Sequence, residues 1–219
     1  MICDFHTHTF FSDGLNSPIE LIRNACANGY DCIGIADHAS LSNIDILIKS
    51  IQKDCRLAEK YWDIKAIPGV ELTNVPSSSI DELAEYAKSR GARFVVVHGE
   101  SPVEKVEKGT NKSAVSSSKV DILAHPGFIT EEEAEMAARN GIFLEVTYRK
   151  GHNRTNGLVA KIATKTGAKM LINSDAHSHE DLFFDDEQYK TALGAGLTRD
   201  QVEEIVNSNF SEFIERTSS

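Results

Sequence analysis

The residues here best equipped for chemistry are histidines and carboxylates that follow short apolar runs. In chain order they stand in Phe5-His6-Thr7-His8, Ser12-Asp13-Gly14, Ala36-Asp37-His38, Gly69-Val70-Glu71, Val97-His98-Gly99, Ala124-His125-Pro126-Gly127 and Ser174-Asp175-Ala176-His177. Of the 8 histidines, all but His152 and His179 belong to this set. One histidine after an apolar run is more often an interior residue satisfied by hydrogen bonds than a ligand. Independently placed histidines would not collect at one kind of position, however, and Asp13, Glu71 and Asp175 complete the residue types of a divalent-metal site. Residues two apart on a strand point to the same face, so His6 and His8 can share an ion, and Asp175 and His177 repeat the spacing. Nine such residues are too many for one tetrahedral zinc and suit two or three ions with a bridging carboxylate. Imidazole and carboxylate without thiolate fit zinc, manganese or iron.

These side chains need a scaffold that brings them together. Ile2–Phe5, Cys32–Ala36, Ile64–Leu72, Arg93–Val97, Val120–Ala124, Ile142–Val146 and Lys169–Ile172 read as seven short, nearly continuous apolar strands, the pattern of buried parallel strands. Helix signals lie between them. Ser17-Pro18-Ile19-Glu20 and Thr130-Glu131-Glu132-Glu133 read as capping boxes, and Ser79 with Glu82 and Thr198 with Gln201 as two more. Ile44, Leu47, Ile48, Ile51, Cys55 and Ala58 repeat at helical spacing. Asn28-Gly29, Arg90-Gly91 and Asn140-Gly141 supply glycine stops. Lys108–Lys119 reads as a short helix begun at Thr110 or as a loop, and lacks phosphate-loop spacing. Alternating strands and helices give a parallel sheet with right-handed crossovers. In an open sheet, with strands about 4.8 Å apart, the strand ends would be too far apart to share ions. A closed barrel gathers them on one face, so the ligand positions favour a barrel.

Composition narrows the partners. A formal net charge of −10 disfavours extended nucleic acid, whose phosphates are gripped by clustered lysine and arginine, but allows a small phosphorylated substrate. Cys3, Cys26, Cys32 and Cys55 form no C-x-x-C pair, and Cys3 and Cys32, inside apolar runs, read as buried free thiols. No apolar run is long enough for a membrane span, and MICDFHTH is no secretory signal, so a cytoplasmic protein is expected.

The motifs resemble, in order and from residue 6 to residue 177, those of the PHP (polymerase and histidinol phosphatase) family of metallophosphoesterases. The resemblance implies an α/β fold, a distorted seven-stranded (β/α) TIM-like barrel, with residues 1–219 as one domain. It implies a site of two or three ions hydrolysing phosphate esters, such as histidinol phosphate or a nucleotide. By the family's pattern His6, His8, Glu71 and Asp175 hold one ion, and Glu71 bridges to a second on His98 and His125. Asp13, His38 and His177 hold a third. A hydroxide between two cations can exist near neutral pH, because metals lower the pKa of bound water to about 7, and it attacks phosphorus in line.

Other residues carry weaker signals. In the basic stretch Tyr148–Arg154, Arg149 is placed to grip a phosphate and His152 to protonate the leaving group, against the plain reading of a solvated loop. Glu145 suits a hydrogen bond to a ligating histidine, and Asp37 either that or loop capping. His179 reads as exposed, and Trp62, Phe183 and Phe184 as packing residues. Two rival readings remain. An amidohydrolase-like barrel also begins with His-x-His but lacks the Glu71 motif and the Asp175-x-His177 pair. A non-catalytic RNA-binding barrel of the ribonuclease P type would have a basic surface and lost ligands.

Overall fold

The computed structural model describes residues 1–218. The strands are β1 (Cys3–Asp4), β2 (Cys32–Ile35), β3 (His38–Ala39), β4 (Lys65–Leu72), β5 (Phe94–His98), β6 (Ile122–Ala124), β7 (Phe143–Thr147) and β8 (Met170–Asn173). Seven of them form one parallel sheet in the order β1-β2-β4-β5-β6-β7-β8, and β3 pairs beside β4. These seven match the apolar runs read from the sequence, with β5, β7 and β8 each running one residue further, to His98, Thr147 and Asn173. β3, only two residues long, has no run of its own and left no signal.

The helices are α1 (Pro18–Ala27), α2 (Ile44–Tyr61), α3 (Ile80–Ser89), α4 (Thr110–Ser116), α5 (Glu131–Asn140), α6 (Asn156–Thr166), α7 (Glu187–Gly194), α8 (Arg199–Glu204) and α9 (Phe210–Ser218), with a π-helical turn at Ile205–Asn209. Ser17, Thr130 and Thr198 cap α1, α5 and α8 reciprocally with Glu20, Glu133 and Gln201. Ser79 makes no such cap. Its hydroxyl donates to Pro76 O at 2.7 Å, because Ser77–Ser79 already form a 3-10 turn that runs straight into α3. Every apolar position singled out along α2 is buried. Among the described residues, no helix is long and apolar enough to cross a membrane.

The sheet curls until β8 lies beside β1, but the ladder at this seam shrinks to one bridge, Thr7 with Ala176. Side chains complete it. Asn173 Oδ1 accepts from Phe5 N at 3.0 Å, Asp4 Oδ1 accepts from Ser174 N at 3.1 Å, and Gln188 Nε2 donates to Ile172 O at 2.8 Å and to Cys3 O. At the end where Phe94 opens β5 and Phe143 opens β7, Phe213 of α9 fills the barrel. Its ring centre lies 4.5 Å from that of Phe5, 5.6 Å from Phe94 and 5.5 Å from Phe143. Gly34 and Gly69 leave room there, since a Cβ on either would lie within 2.7 Å of the Phe94 ring. The apolar plug therefore occupies one end of the barrel, and the strand C-termini at the other are left to polar side chains. Cys3 and Cys32 are neighbours in register and buried as free thiols, and burial pushes the Cys32 thiol well up. Phe183 is in the core, whereas Phe184, expected to pack, is 66% exposed.

Candidate metal centre

All the sequence-selected ligand candidates converge at the C-terminal ends of the strands. His6, His8 and Asp13 follow β1, His38 opens β3, Glu71 lies in β4, His98 ends β5, His125 follows β6, and Asp175 and His177 follow β8. Ring centres are 5.0 Å apart for His6 and His8, 4.3 Å for His8 and His38, 4.4 Å for His8 and His177, and 4.5 Å for His98 and His125. Four overlapping groups place their nitrogen or carboxylate atoms within 4.8 Å of one another: His6–His8–Asp175, His6–Glu71–His125, His8–Asp13–His38–His177 and His98–His125–His152. His8 thus faces two groups. His98 groups with His125 and His152.

Backbone and neighbours fix these side chains. His125 and Asp175 adopt φ of 26° and 56°, sparsely populated values that cost on the order of 1–3 kcal/mol each. The loops after β5 and β6 approach so closely that a Cβ on Gly127 would lie 2.0 Å from Glu100 O. Asp37 caps the loop that carries Asp13, accepting from Thr9 N, Thr9 Oγ1 and Ser12 Oγ, each at 2.7 Å. Of the two readings of Asp37, loop capping is the one the contacts show.

Hydrogen bonds behind the rings set the tautomers. His6 Nδ1 donates to Glu145 Oε1 at 2.7 Å, His98 Nδ1 to Gly99 O at 3.1 Å and His177 Nδ1 to Asp175 O at 2.9 Å. In the neutral ring each leaves Nε2 with its lone pair turned to the centre, the arrangement of a metal-ligating histidine. Glu145 is wholly buried, and it also accepts from Asn173 Nδ2 at 2.9 Å and His125 N at 3.0 Å. His38 Nδ1 lies 2.5 Å from Glu71 Oε2, which also accepts from Thr73 Oγ1 at 2.9 Å. The other oxygen, Glu71 Oε1, lies between His6 Nε2 at 3.3 Å and His125 Nε2 at 3.9 Å.

Buried atoms lacking a hydrogen-bond partner concentrate here: His6 Nε2, both nitrogens of His8, Glu71 Oε1, His125 Nδ1, His152 Nδ1 and Asp175 Oδ1. Yet His6 Nε2 is 3.3 Å from Glu71 Oε1, and His8 Nε2 is 3.2 Å from Asp175 Oδ1. They are near one another without hydrogen-bond geometry, as ligands of a common cation are. Each unsatisfied buried group costs about 1–3 kcal/mol, and several would consume much of a domain's net stability of about 5–15 kcal/mol. Cations remove that cost, so the donor set fits divalent ions.

Electrostatics couples the same groups: against burial, the neighbouring carboxylates raise His6, His98 and His177 above their ordinary value, so ions would displace those protons on binding. Burial favours a neutral carboxyl at Asp175 and Glu71, but the surrounding imidazoles outweigh it and hold both well below the usual carboxylate range. Burial opposes a proton on His38, and Glu71 and Asp13 overcome this to raise it to about 10. Burial lowers His8 and, with His98, holds His125 well below its ordinary value, so both stay neutral as ligation requires.

The centre opens into a cavity of about 420 Å³ lined by Asp13, His38, His98, His125, Asp175 and His177, with Asn43, Thr73, Arg149 and His152 among the others. Arg149 Nη1 stands 3.6 Å from Asp181 Oδ2. Glu104 also lines the cavity and touches two of the histidines. Nothing in the sequence distinguishes it from the other charged residues of its loop. His179 is exposed, as expected.

The PHP domain family matches this chain over residues 4–213. An uncharacterized protein of Methanocaldococcus jannaschii is 50% identical, covering 97% of this chain and 98% of its own length. A Thermoanaerobacter protein named "Probable phosphatase" is 30% identical, covering 92% of this chain and 89% of its own. A ribonuclease P protein component 3 from Methanosarcina mazei is 27% identical, covering 90% of this chain and 82% of its own. The barrel, the ligand-bearing strand ends and the match along nearly the whole sequence agree: the chain belongs to the PHP domain family.

Proposed function

We propose that this protein is a metal-dependent phosphoesterase that hydrolyses a small phosphomonoester. The observation that carries this is the convergence of buried, unsatisfied imidazole and carboxylate atoms at one barrel mouth, with an arginine on the same cavity. In this reading His6, His8, Asp13, His38, Glu71, His98, His125, Asp175 and His177 hold two or three divalent ions of zinc, manganese or iron. When bound, the ions supply Lewis acidity toward water and the phosphoryl oxygens.

The chain's own groups do the rest. Glu71 presents one oxygen between His6 and His125, while Thr73 and His38 fix the other, so the carboxylate is oriented to bridge. Glu145, Gly99 O and Asp175 O hold the imidazoles in the tautomer that keeps Nε2 available. Arg149 carries a planar donor fork suited to two phosphate oxygens, and its contact with Asp181 steadies it at the cavity wall.

The cavity's size suits a metabolite-sized ligand. Histidine is the one ring-bearing residue type among its lining side chains, so there is no phenylalanine, tyrosine or tryptophan platform for stacking bases. The similarity to a ribonuclease P component raises a second reading, an RNA-binding scaffold, but a net charge of −10 opposes it. The test is a phosphatase screen over a panel of phosphorylated metabolites, after chelation and resupply of manganese or zinc. Turnover of a phosphomonoester that depends on the added ion is the expected result. No turnover of any phosphoester with any metal would sink the enzyme reading.

A further inference from the structure

The loop between β5 and α4 brings a carboxylate to the centre that the family's ligand pattern does not contain. Glu104 Oε2 lies 3.0 Å from His98 Nε2, and Glu104 Oε1 lies 3.3 Å from His152 Nε2. The loop is fastened at its base. Glu100 Oε1 accepts from Gly109 N at 2.9 Å and Asn111 N at 3.1 Å, and Glu107 holds Ser77 through its backbone N at 3.0 Å and hydroxyl at 3.1 Å. On the other side Val103 lies against Gly151, where a Cβ would stand 3.4 Å from it. Glu104 and His152 are thus next to two residues, Val103 and Gly151, that already pack together.

His152 completes a triangle. Its ring centre is 4.3 Å from that of His125 and 5.9 Å from that of His98. Ring nitrogens of the three lie within 4.8 Å of one another, and Nδ1 of both His125 and His152 is buried without a hydrogen-bond partner. His98 gives its Nδ1 hydrogen to Gly99 O, so its Nε2 faces Glu104, through a proton in the metal-free centre and with a lone pair once a cation displaces that proton. Two ligands each about 2.0–2.2 Å from one cation stand roughly 3.0–3.5 Å apart. The Glu104 contacts have that spacing. So do His8 with Asp175 at 3.2 Å and Asp13 with His177 at 3.2 Å.

We infer that Glu104 and His152 are two further metal ligands, sharing with His98 and His125 an ion at the outer edge of the centre. The inference rests on the metal-binding reading above and extends its ligand set from nine residues to eleven. With the Glu71 oxygen that faces His125, three imidazoles and two carboxylates would surround this ion, a donor set that suits zinc, manganese or iron. The imidazoles and Glu71 are buried, whereas the Glu104 side chain is 50% exposed, so Glu104 is the ligand able to leave. Being an oxyanion at the cavity wall, it competes with a phosphoryl group for the same place. Glu104 therefore caps the ion in the absence of substrate and gives way to it.

The test measures ions, not turnover. Chelator-stripped wild type, Glu104→Gln, Glu104→Ala and His152→Ala are titrated with Zn²⁺ by calorimetry, and bound metal is counted by mass spectrometry. The expected result is that one ion weakens by about tenfold or more in each variant while the others keep wild-type affinity. Cobalt-loaded wild type should also change its visible absorption on addition of inorganic phosphate, and Glu104→Ala should lose that response. Unchanged stoichiometry and affinity in the Glu104 variants would overturn the inference, as would a His152→Ala variant that loses turnover with every ion's affinity intact, which marks a proton donor. If His152→Ala fails to fold, the half-exposed Glu104 variants decide alone. A wild type that binds no metal would instead refute the metal-binding reading itself.

Discussion

Replacing Glu145 by glutamine changes one atom behind the centre and leaves every proposed ligand in place. Glu145 is buried, with Oε1 accepting from His6 Nδ1 and Asn173 Nδ2, and Oε2 accepting from His125 N. An amide has one accepting oxygen where the carboxylate has two. With its oxygen toward His6, its NH2 group confronts the N–H of His125. Turned over, the NH2 confronts His6 and Asn173, and His6 then keeps its hydrogen bond only by moving its proton to Nε2, which removes the lone pair facing the centre. Either orientation leaves a buried polar group unsatisfied at about 1–3 kcal/mol. At roughly 2–4 °C per kcal/mol for a chain of this length, the metal-free variant should melt about 2–12 °C lower. Metal affinity should fall about 10–100-fold, as for other partners behind a ligating histidine. Calorimetric titration of the stripped protein and thermal melts with and without metal measure both. Wild-type affinity in the variant would refute the claim that Glu145 sets the His6 tautomer.

Further outcomes follow from the same geometry. Glu71→Ala should stay folded, release metal and lose on the order of 10²–10³-fold in turnover, the scale of several kcal/mol of charge stabilisation, and parent-like hydrolysis would refute its bridging role. Arg149→Ala should lower kcat/KM about 10–100-fold with metal content unchanged, and Arg149→Lys should recover only part, since lysine lacks the fork; unchanged kinetics would remove Arg149 from phosphate binding. Asn173→Ala should lower stability by about 1–3 kcal/mol in denaturant unfolding, because Phe5 N loses its acceptor at the seam. In the metal-free protein the His38 pKa of about 10 lies above its ordinary 6.5, so that proton's contribution is whole below pH 6.5 and is lost as pH rises toward 10. Cations displace this proton, so the melting-temperature gap between loaded and stripped protein should widen from pH 6 to pH 9. A gap that narrows would contradict it.

Much of this was legible in the sequence because the strands are buried on both faces and so read as unbroken apolar runs. Their ends then stood out as the places where histidine and carboxylate begin. β3 escaped because His38 and Ala39 form too short a pairing to leave a run, and the Ser79 cap failed because a serine-rich 3-10 turn had already started the helix. Asp37 was ambiguous for a physical reason: a buried carboxylate beside a ligand can hold a ring or a loop, and only the position of Thr9 and Ser12 decides. Glu145 was marked by its place at the end of β7, but its three simultaneous hydrogen bonds depend on Asn173 and His125 arriving from other strands. Glu104 had no signal at all. Its loop carries Glu100, Glu104 and Glu107 at similar spacing, and the fold uses the first and third to fasten the loop and turns the second inward.

On the proposed reading the barrel mouth holds a cluster of divalent ions on these side chains. Anomalous diffraction from crystals grown with manganese or zinc would locate them. At least two anomalous peaks are expected within ligand distance of His6, His8, Glu71, His98, His125 and Asp175. A well-ordered barrel with no peak at those side chains, or with metal bound elsewhere, would contradict it.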